Sequence, residues 1–289
     1  MITKCNIEEL EVITNLAYEQ NNRPEYNSAY CFKAREAIKD DFLQMLKSKE
    51  SFVLGYLNKG TLMGICGFYV DKEKKTADLV GPFLKEGDYR SVSADMLAFA
   101  DRKLKEGYRY NFFFDEQNSR YLEFMEEIQA EYQDQEYSLL LRRSNYKKHQ
   151  TKKRAKELSP NYADKVKEIH DTNFKDSYLS GKEMISSAKS ERKVVYITAG
   201  GELAGYGACR FWVTPDRASI DIIYVVPALR NQGYEQALLD GMIAGIYENE
   251  EIEYIGIVIE TDDRDFLEIC VEAGFEVTSK NCSYFLKRN

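Results

Sequence analysis

The chain has 289 residues, 44% of them hydrophobic, enough for two ordinary cores or one large one. Its formal net charge of −8 argues against a general nucleic-acid binder. The six cysteines form no C-x-x-C pair, so they read as reduced thiols of a cytoplasmic protein and not as a disulfide framework.

Ile7, Leu10, Ile13, Leu16 and Ala17 recur at helical spacing and predict a helix over 6–20, with Asn6 as its N-cap. A polar loop containing Pro24 follows, then a second helix over 32–47. Strands at 51–57 and 61–70 flank Asn58-Lys59-Gly60, a hairpin signal. A third strand at 76–84 leads through residues 85–90 into a helix over 92–104. A strand at 111–116, a helix at 121–128 and a strand at 137–143 complete this half.

Residues 144–156, SNYKKHQTKKRAK, are the one long basic run. The run is short and lacks interleaved aromatics. It is therefore read as a solvated linker, not as a nucleic-acid or membrane patch.

The order of elements then repeats. Helices are predicted at 162–174 and 182–189, a hairpin at 193–213 around Gly200-Gly201, and a strand over 220–226, where β-branched and aromatic residues crowd together. Pro227 ends that strand. Asn231, Gln232 and Gly233 lead into a helix marked by Leu238, Met242 and Ile246. A strand at 254–260, a helix at 264–272 and a closing hairpin at 275–286 around 279–281 finish the chain.

The junction after Pro227 is where binding chemistry is expected. The first turn of a helix has unpaired N–H groups and partial positive charge, so a tight loop entering it can hold a diphosphate. Gly233 leaves the backbone bare there, and Arg230 adds a fixed charge at the rim.

These residues resemble a known family. Val225, Pro227, Arg230 and Gly233 match, in register, the V-x-P-x-x-R-x-x-G-x-G/A loop that grips acetyl-CoA in GNAT N-acetyltransferases. Glu235 departs from it, standing where the family has glycine or alanine. A carboxylate there repels a diphosphate unless it turns away. The two halves share one plan at an offset of about 140 residues. Gly64 answers to Gly205 and Arg90 to Arg230, but Ser93 replaces the loop glycine and Asp95 brings a charge. The chain thus resembles a tandem GNAT protein with an eroded first copy.

The resemblance implies an α/β (α+β) fold of two GNAT-like domains, each a mixed, mostly antiparallel twisted sheet flanked by helices. It sets the domains at 1–143 and 157–289, with residues 144–156 as the linker. It also implies that acetyl-CoA is bound by the backbone at Tyr224 and Val225 and by the loop Arg230, Asn231, Gln232, Gly233, Tyr234 and Glu235. Asp221 is the candidate general base. Cys270, in the segment ending Gly274-Phe275, takes the place of the family's proton-donating tyrosine. Asp262 and Asp263 add negative charge near the cofactor's path.

The expected reaction moves an acetyl group to a primary amine of a small molecule or peptide. The alternative is a GNAT-derived acyl-CoA-binding module with little or no turnover. Neither His149 nor His170 has neighbours at metal-ligand spacing, so no metal is expected. A cytoplasmic monomer or homodimer without nucleic-acid or membrane partners is expected.

Overall fold

In a computed structural model, residues 1–104, 107–174, 179–188, 191–211 and 216–288 are described. The chain forms two compact units: Met1–Glu136 with Ser279–Asn289, and Tyr137–Thr278. In chain order the elements are β1 (Ile2–Lys4), α1 (Leu10–Asn21), α2 (Arg35–Lys47), β2 (Phe52–Asn58), β3 (Thr61–Asp71), β4 (Thr76–Leu84), α3 (Tyr89–Leu104), β5 (Arg109–Asp115), α4 (Ser119–Glu127) and β6 (Glu131–Arg142). Then come β7 (Lys156–Glu157), α5 (Pro160–Asn173), α6 (Gly181–Ser186), β8 (Arg192–Ala199), β9 (Glu202–Phe211), β10 (Arg217–Val225), α7 (Tyr234–Ile246), β11 (Tyr254–Glu260), α8 (Arg264–Glu272) and β12 (Glu276–Lys287).

In the first unit the strand order is β1-β2-β3-β4-β5-β12. Neighbours pair antiparallel except β4 and β5, which run parallel over Thr76–Asp78 and Arg109–Asn111. Helices cover both faces. Ile13, Ile38 and Phe42 of α1 and α2 pack with Val53, Ile65 and Val80. Met96, Tyr121 and Phe124 of α3 and α4 pack with Phe52, Phe68 and Phe112.

The second unit repeats the plan, with strand order β6-β11-β10-β9-β8-β7. Leu238, Met242 and Ile246 of α7 are fully buried against Ile220, Ile255 and Ile257. Val166 and Met184 of α5 and α6 cover the other face, with Tyr206 and Ile222. Both first hairpins turn on two residues of positive φ, Lys59-Gly60 and Gly200-Gly201, the backbone that matches strand twist.

The structure departs from the sequence reading in several places. The predicted closing hairpin is instead the single strand β12, because residues 281–287 stay extended and pair antiparallel with β5 from Asn281↔Asp115 to Lys287↔Arg109. The C-terminal segment therefore groups with the first unit, and the units divide at residues 136/137 and 278/279. The predicted hairpin residues Trp212 and Val213, and the predicted helical residue Lys189, lie outside the described residues.

The basic linker is clasped to the second unit. His149 donates its backbone N–H to Asp240 Oδ2 at 3.0 Å and places Nδ1 2.9 Å from Oδ1. Its Nε2 lies 3.0 Å from the Ile269 carbonyl. A carbonyl only accepts, so Nε2 donates there, and the carboxylate beside Nδ1 favours a second proton on the ring. The Asp240 hydrogen bond, more than the carbonyl, raises its pKa. Lys147, Lys148 and Arg154 remain exposed along the run.

Candidate functional site

The site begins at a bulge in β10. Ile220 pairs with Cys209 and Ile222 with Ala208, so Asp221 is an extra residue. The slip flips the side-chain phase: Ile220 belongs to the α7 core and Ile222 to the α5 core. Beyond the bulge, Ile223 and Val225 face α7 while the Tyr224 ring lies tilted against Tyr206, with ring centres 5.7 Å apart.

β10 and β11 pair only from Arg217↔Tyr254 to Ile220↔Ile257. The last residues of both strands lie outside that register, and a cavity of about 380 Å³ opens beside them. Ile223, Val225, Phe266 and Ile269 give it apolar surface. Its polar lining is Arg230, Asn231 and five carboxylates: Glu235, Glu260, Asp262, Asp263 and Asp265. One cation against five acids means the side chains oppose an anionic ligand; only the backbone favours one.

That backbone is the loop from Val226 to Gly233. Pro227–Leu229 form one turn of 3-10 helix. Arg230 is extended, and its Nε reaches the Val225 carbonyl at 3.4 Å. Asn231 is left-handed at φ 58°. Gly233 is the α7 N-cap at φ 83°, ψ 13°, a conformation that favours glycine, and it makes no side-chain cap. A Cβ there would make only ordinary contacts, with Thr151 Oγ1 at 3.6 Å and Gln236 Oε1 at 4.0 Å, so the constraint is the dihedral and not space. The neighbouring helix α8, by contrast, is capped by Asp263 Oδ1, which accepts the Phe266 N–H at 3.1 Å.

Residues 157–266 match the family described as Acetyltransferase (GNAT). This segment is a GNAT acetyltransferase domain. No curated protein matches the chain. Among solved structures, a GCN5-related N-acetyltransferase from Sphaerobacter thermophilus aligns with 100% of this chain and 96% of its own, at 11% identity and a TM-score of 0.74. A tandem GNAT protein from the clavulanic acid biosynthesis pathway aligns over 99% and 98%, at 13% identity and a TM-score of 0.65. A GNAT-family acetyltransferase from Colwellia psychrerythraea aligns over 99% and 100%, at 12% and 0.56. At these identities the likeness is one of fold, and the fold is that of the tandem GNAT proteins.

Within the GNAT domain the structure brings Val225, Arg230, Asn231 and Glu235 together around the cavity. Gln232 bends back to the Ala228 carbonyl at 3.0 Å. Tyr234 is buried, with Lys153 Nζ 4.5 Å from its ring centre. The Tyr224 side chain points to the α5 face, leaving only its backbone toward the loop side.

Two expectations need correction. Asp221 is not a free base. Its side chain is 5% exposed, paired with Arg192, 3.8 Å from Arg210 Nε, and bonded by Ser219 Oγ at 2.6 Å. Its two arginine partners come from β8 and β9, beside the bulge. Cys270 is fully buried in the α7–α8 core, and burial pushes its thiol far above a free thiol's range, so it is a poor proton donor. Glu235 does not turn away from the loop. It turns in, and Oε1 accepts the Asn231 N–H at 3.2 Å.

The sequence reading missed Glu260, Asp265 and Phe266. Asp265 anchors the loop by accepting from Asn231 Nδ2 at 2.8 Å. The density of acids in ETDDRD, starting at the last residue of the strand 254–260, was the available signal.

Proposed function

We propose that the second unit is an N-acetyltransferase that takes acetyl-CoA as donor and a primary amine of a small molecule or peptide as acceptor. The observation that carries this reading is the loop itself. In a GNAT-family segment a bulged strand leads through a short loop to a left-handed glycine at a helix start without a side-chain cap, beside a cavity where two parallel strands part. Backbone N–H groups at such a helix start favour a diphosphate, and Arg230 adds charge at its rim. The fit is good for the backbone and poor for the acidic side chains, since Glu235 already occupies the Asn231 amide and four more carboxylates line the cavity.

Acetyl-CoA supplies the activated acetyl thioester. The chain's part is to hold the diphosphate on the Arg230–Gly233 loop, to bed the pantetheine arm along Val225 and Ile223, and to exclude water with Phe266. The acidic rim of Asp262 and Asp263 suits a cationic amine approaching from solvent.

A second reading has one observation in its favour. The Glu235–Asn231 contact suits a GNAT-derived acyl-CoA-binding module with weak or absent turnover. Calorimetry with acetyl-CoA, followed by a thiol-release screen over a broad amine panel, separates the two. Saturable binding with thiol release supports the enzyme; binding without release supports the module; absent binding sinks both. The remaining proposals are a cytoplasmic setting, a monomer or homodimer, and no nucleic-acid or membrane partner. No helix among the described residues is long and apolar enough to cross a membrane.

A further inference from the structure

The loop that begins α7 already holds an anion of the chain's own. Glu235 is the second residue of the helix and 8% exposed. Its Oε1 accepts the Asn231 N–H, while Oε2 is buried, without a hydrogen-bond partner among the described residues, and the side chain lines the cavity. A helix-capping role accounts for Oε1 but not for Oε2, because a buried carboxylate oxygen with nothing to accept from is unfavourable. The nearby donors are turned elsewhere: Asn231 Nδ2 donates to Asp265 and Arg230 Nε reaches the Val225 carbonyl.

We propose that Glu235 is a gate on cofactor binding: it occupies the Asn231 amide in the ligand-free loop, and a diphosphate must displace it to bind. This rests on the acetyl-CoA reading above. The amide has one hydrogen, so the carboxylate and a phosphate oxygen compete for it, and two anions at hydrogen-bond distance repel. The unpartnered Oε2 marks the carboxylate as weakly held, so displacement loses a single hydrogen bond. The gate sets the affinity for the diphosphate end of the donor and leaves the pantetheine channel between β10 and β11 unchanged.

The test uses the full chain, with acetyl-CoA titrated calorimetrically into wild type, Glu235→Ala and Glu235→Gln, alongside hydrogen exchange at the Asn231 amide. Freeing the amide makes Glu235→Ala bind about tenfold tighter than wild type. Glu235→Gln, which keeps the shape and an acceptor oxygen but not the charge, falls between. Without ligand, the Asn231 amide exchanges faster in Glu235→Ala, and saturating acetyl-CoA restores its protection. If Glu235→Ala loses its fold by circular dichroism, Glu235→Gln decides: tighter binding than wild type supports the gate, and equal or weaker binding overturns it. Wild type and Glu235→Ala binding equally well would remove the gate and leave the acetyl-CoA reading standing. No binding by any of the three removes both.

Discussion

The same junction occurs in both units, after β4 and after β10, and it is closed in one and open in the other. Both central strands are bulged, at Gly81-Pro82 opposite Cys66 and at Asp221. Both feed a helix and part from a parallel neighbour after a few paired residues. In the first unit four residues, Lys85 to Asp88, join strand to helix; in the second, eight do, Val226 to Gly233. The difference is about one helical turn. In the first unit that turn has gone into the helix, so Arg90 and Ser93 are helical residues and no loop remains to cradle a phosphate. Asp88 Oδ1 accepts the Ser91 N–H at 3.0 Å and fills the helix start. Arg90 pairs with Glu123 on α4 and lies 3.9 Å from Glu127.

The gap between the parting strands differs as well. In the first unit Tyr121 occupies it. The side chain is buried, its hydroxyl donates to the Gly81 carbonyl at 2.5 Å, and its ring lies 4.2 Å from Phe114. Tyr121 is the third residue after the Asn118 cap of α4. The third residue after the Asp263 cap of α8 is Phe266, which lines the open cavity. One architecture thus gives a filled gap or an open cavity, according to one turn of backbone and one ring.

The sharpest way to break this comparison is Gly233→Asp. It forces a side chain into the left-handed region and sets a charge at the helix start, and should weaken acetyl-CoA binding at least about 100-fold by calorimetry. Ser93→Asp in the first unit should leave that affinity unchanged, whatever it does to stability.

Asp221→Asn tests whether the bulge is structural. Removing the charge between Arg192 and Arg210 should cost about 3 kcal/mol of stability in denaturant melts. The pH dependence of any turnover should keep its shape. A lost acidic limb in that profile would restore Asp221 as the base.

Arg230→Ala should weaken acetyl-CoA binding about tenfold. Arg90→Ala should leave it unchanged, since that guanidinium is exposed and committed to Glu123. Reversed sensitivities would mean that the first unit carries the donor site.

The smallest effect concerns the linker clasp. His149 has its pKa raised in the folded state, so its stabilisation is complete below the unfolded value of about 6.5 and is lost as pH rises through the folded one. His149→Gln should lower the melting temperature by about 3 °C near pH 6 and by less at pH 9. An unchanged difference across that range would argue that the ring is neutral in the clasp.

Much of the fold was legible because its signals are local. The two glycine turns fix hairpins by their own dihedrals, and Leu238, Met242 and Ile246 mark a buried helical face by spacing alone. The loop from Pro227 to Gly233 was readable for the same reason, since proline ends a strand and glycine admits positive φ without help from elsewhere. The helix start at Tyr89 was misplaced by three residues. Its cap, Asp88, lies outside the apolar pattern that predicted it.

The site's chemistry was not legible in this way. Nothing near Asp221 in the sequence announces Arg192 and Arg210, which reach it from two other strands. Cys270 sits in the register of a proton donor, yet α7 buries it and that burial pushes its thiol pKa up. What the sequence determined on its own was a repeated α/β plan and the one junction that retains a glycine start, because dihedral preference and hydrophobic period act over a few residues. Only the tertiary structure decided that Glu235 folds onto the Asn231 amide, that Tyr121 fills one gap while Phe266 leaves the other open, and that residues 281–287 pair in the first unit. Side-chain partners and strand neighbours are settled by contacts between distant segments, and those exist only once the layers have packed.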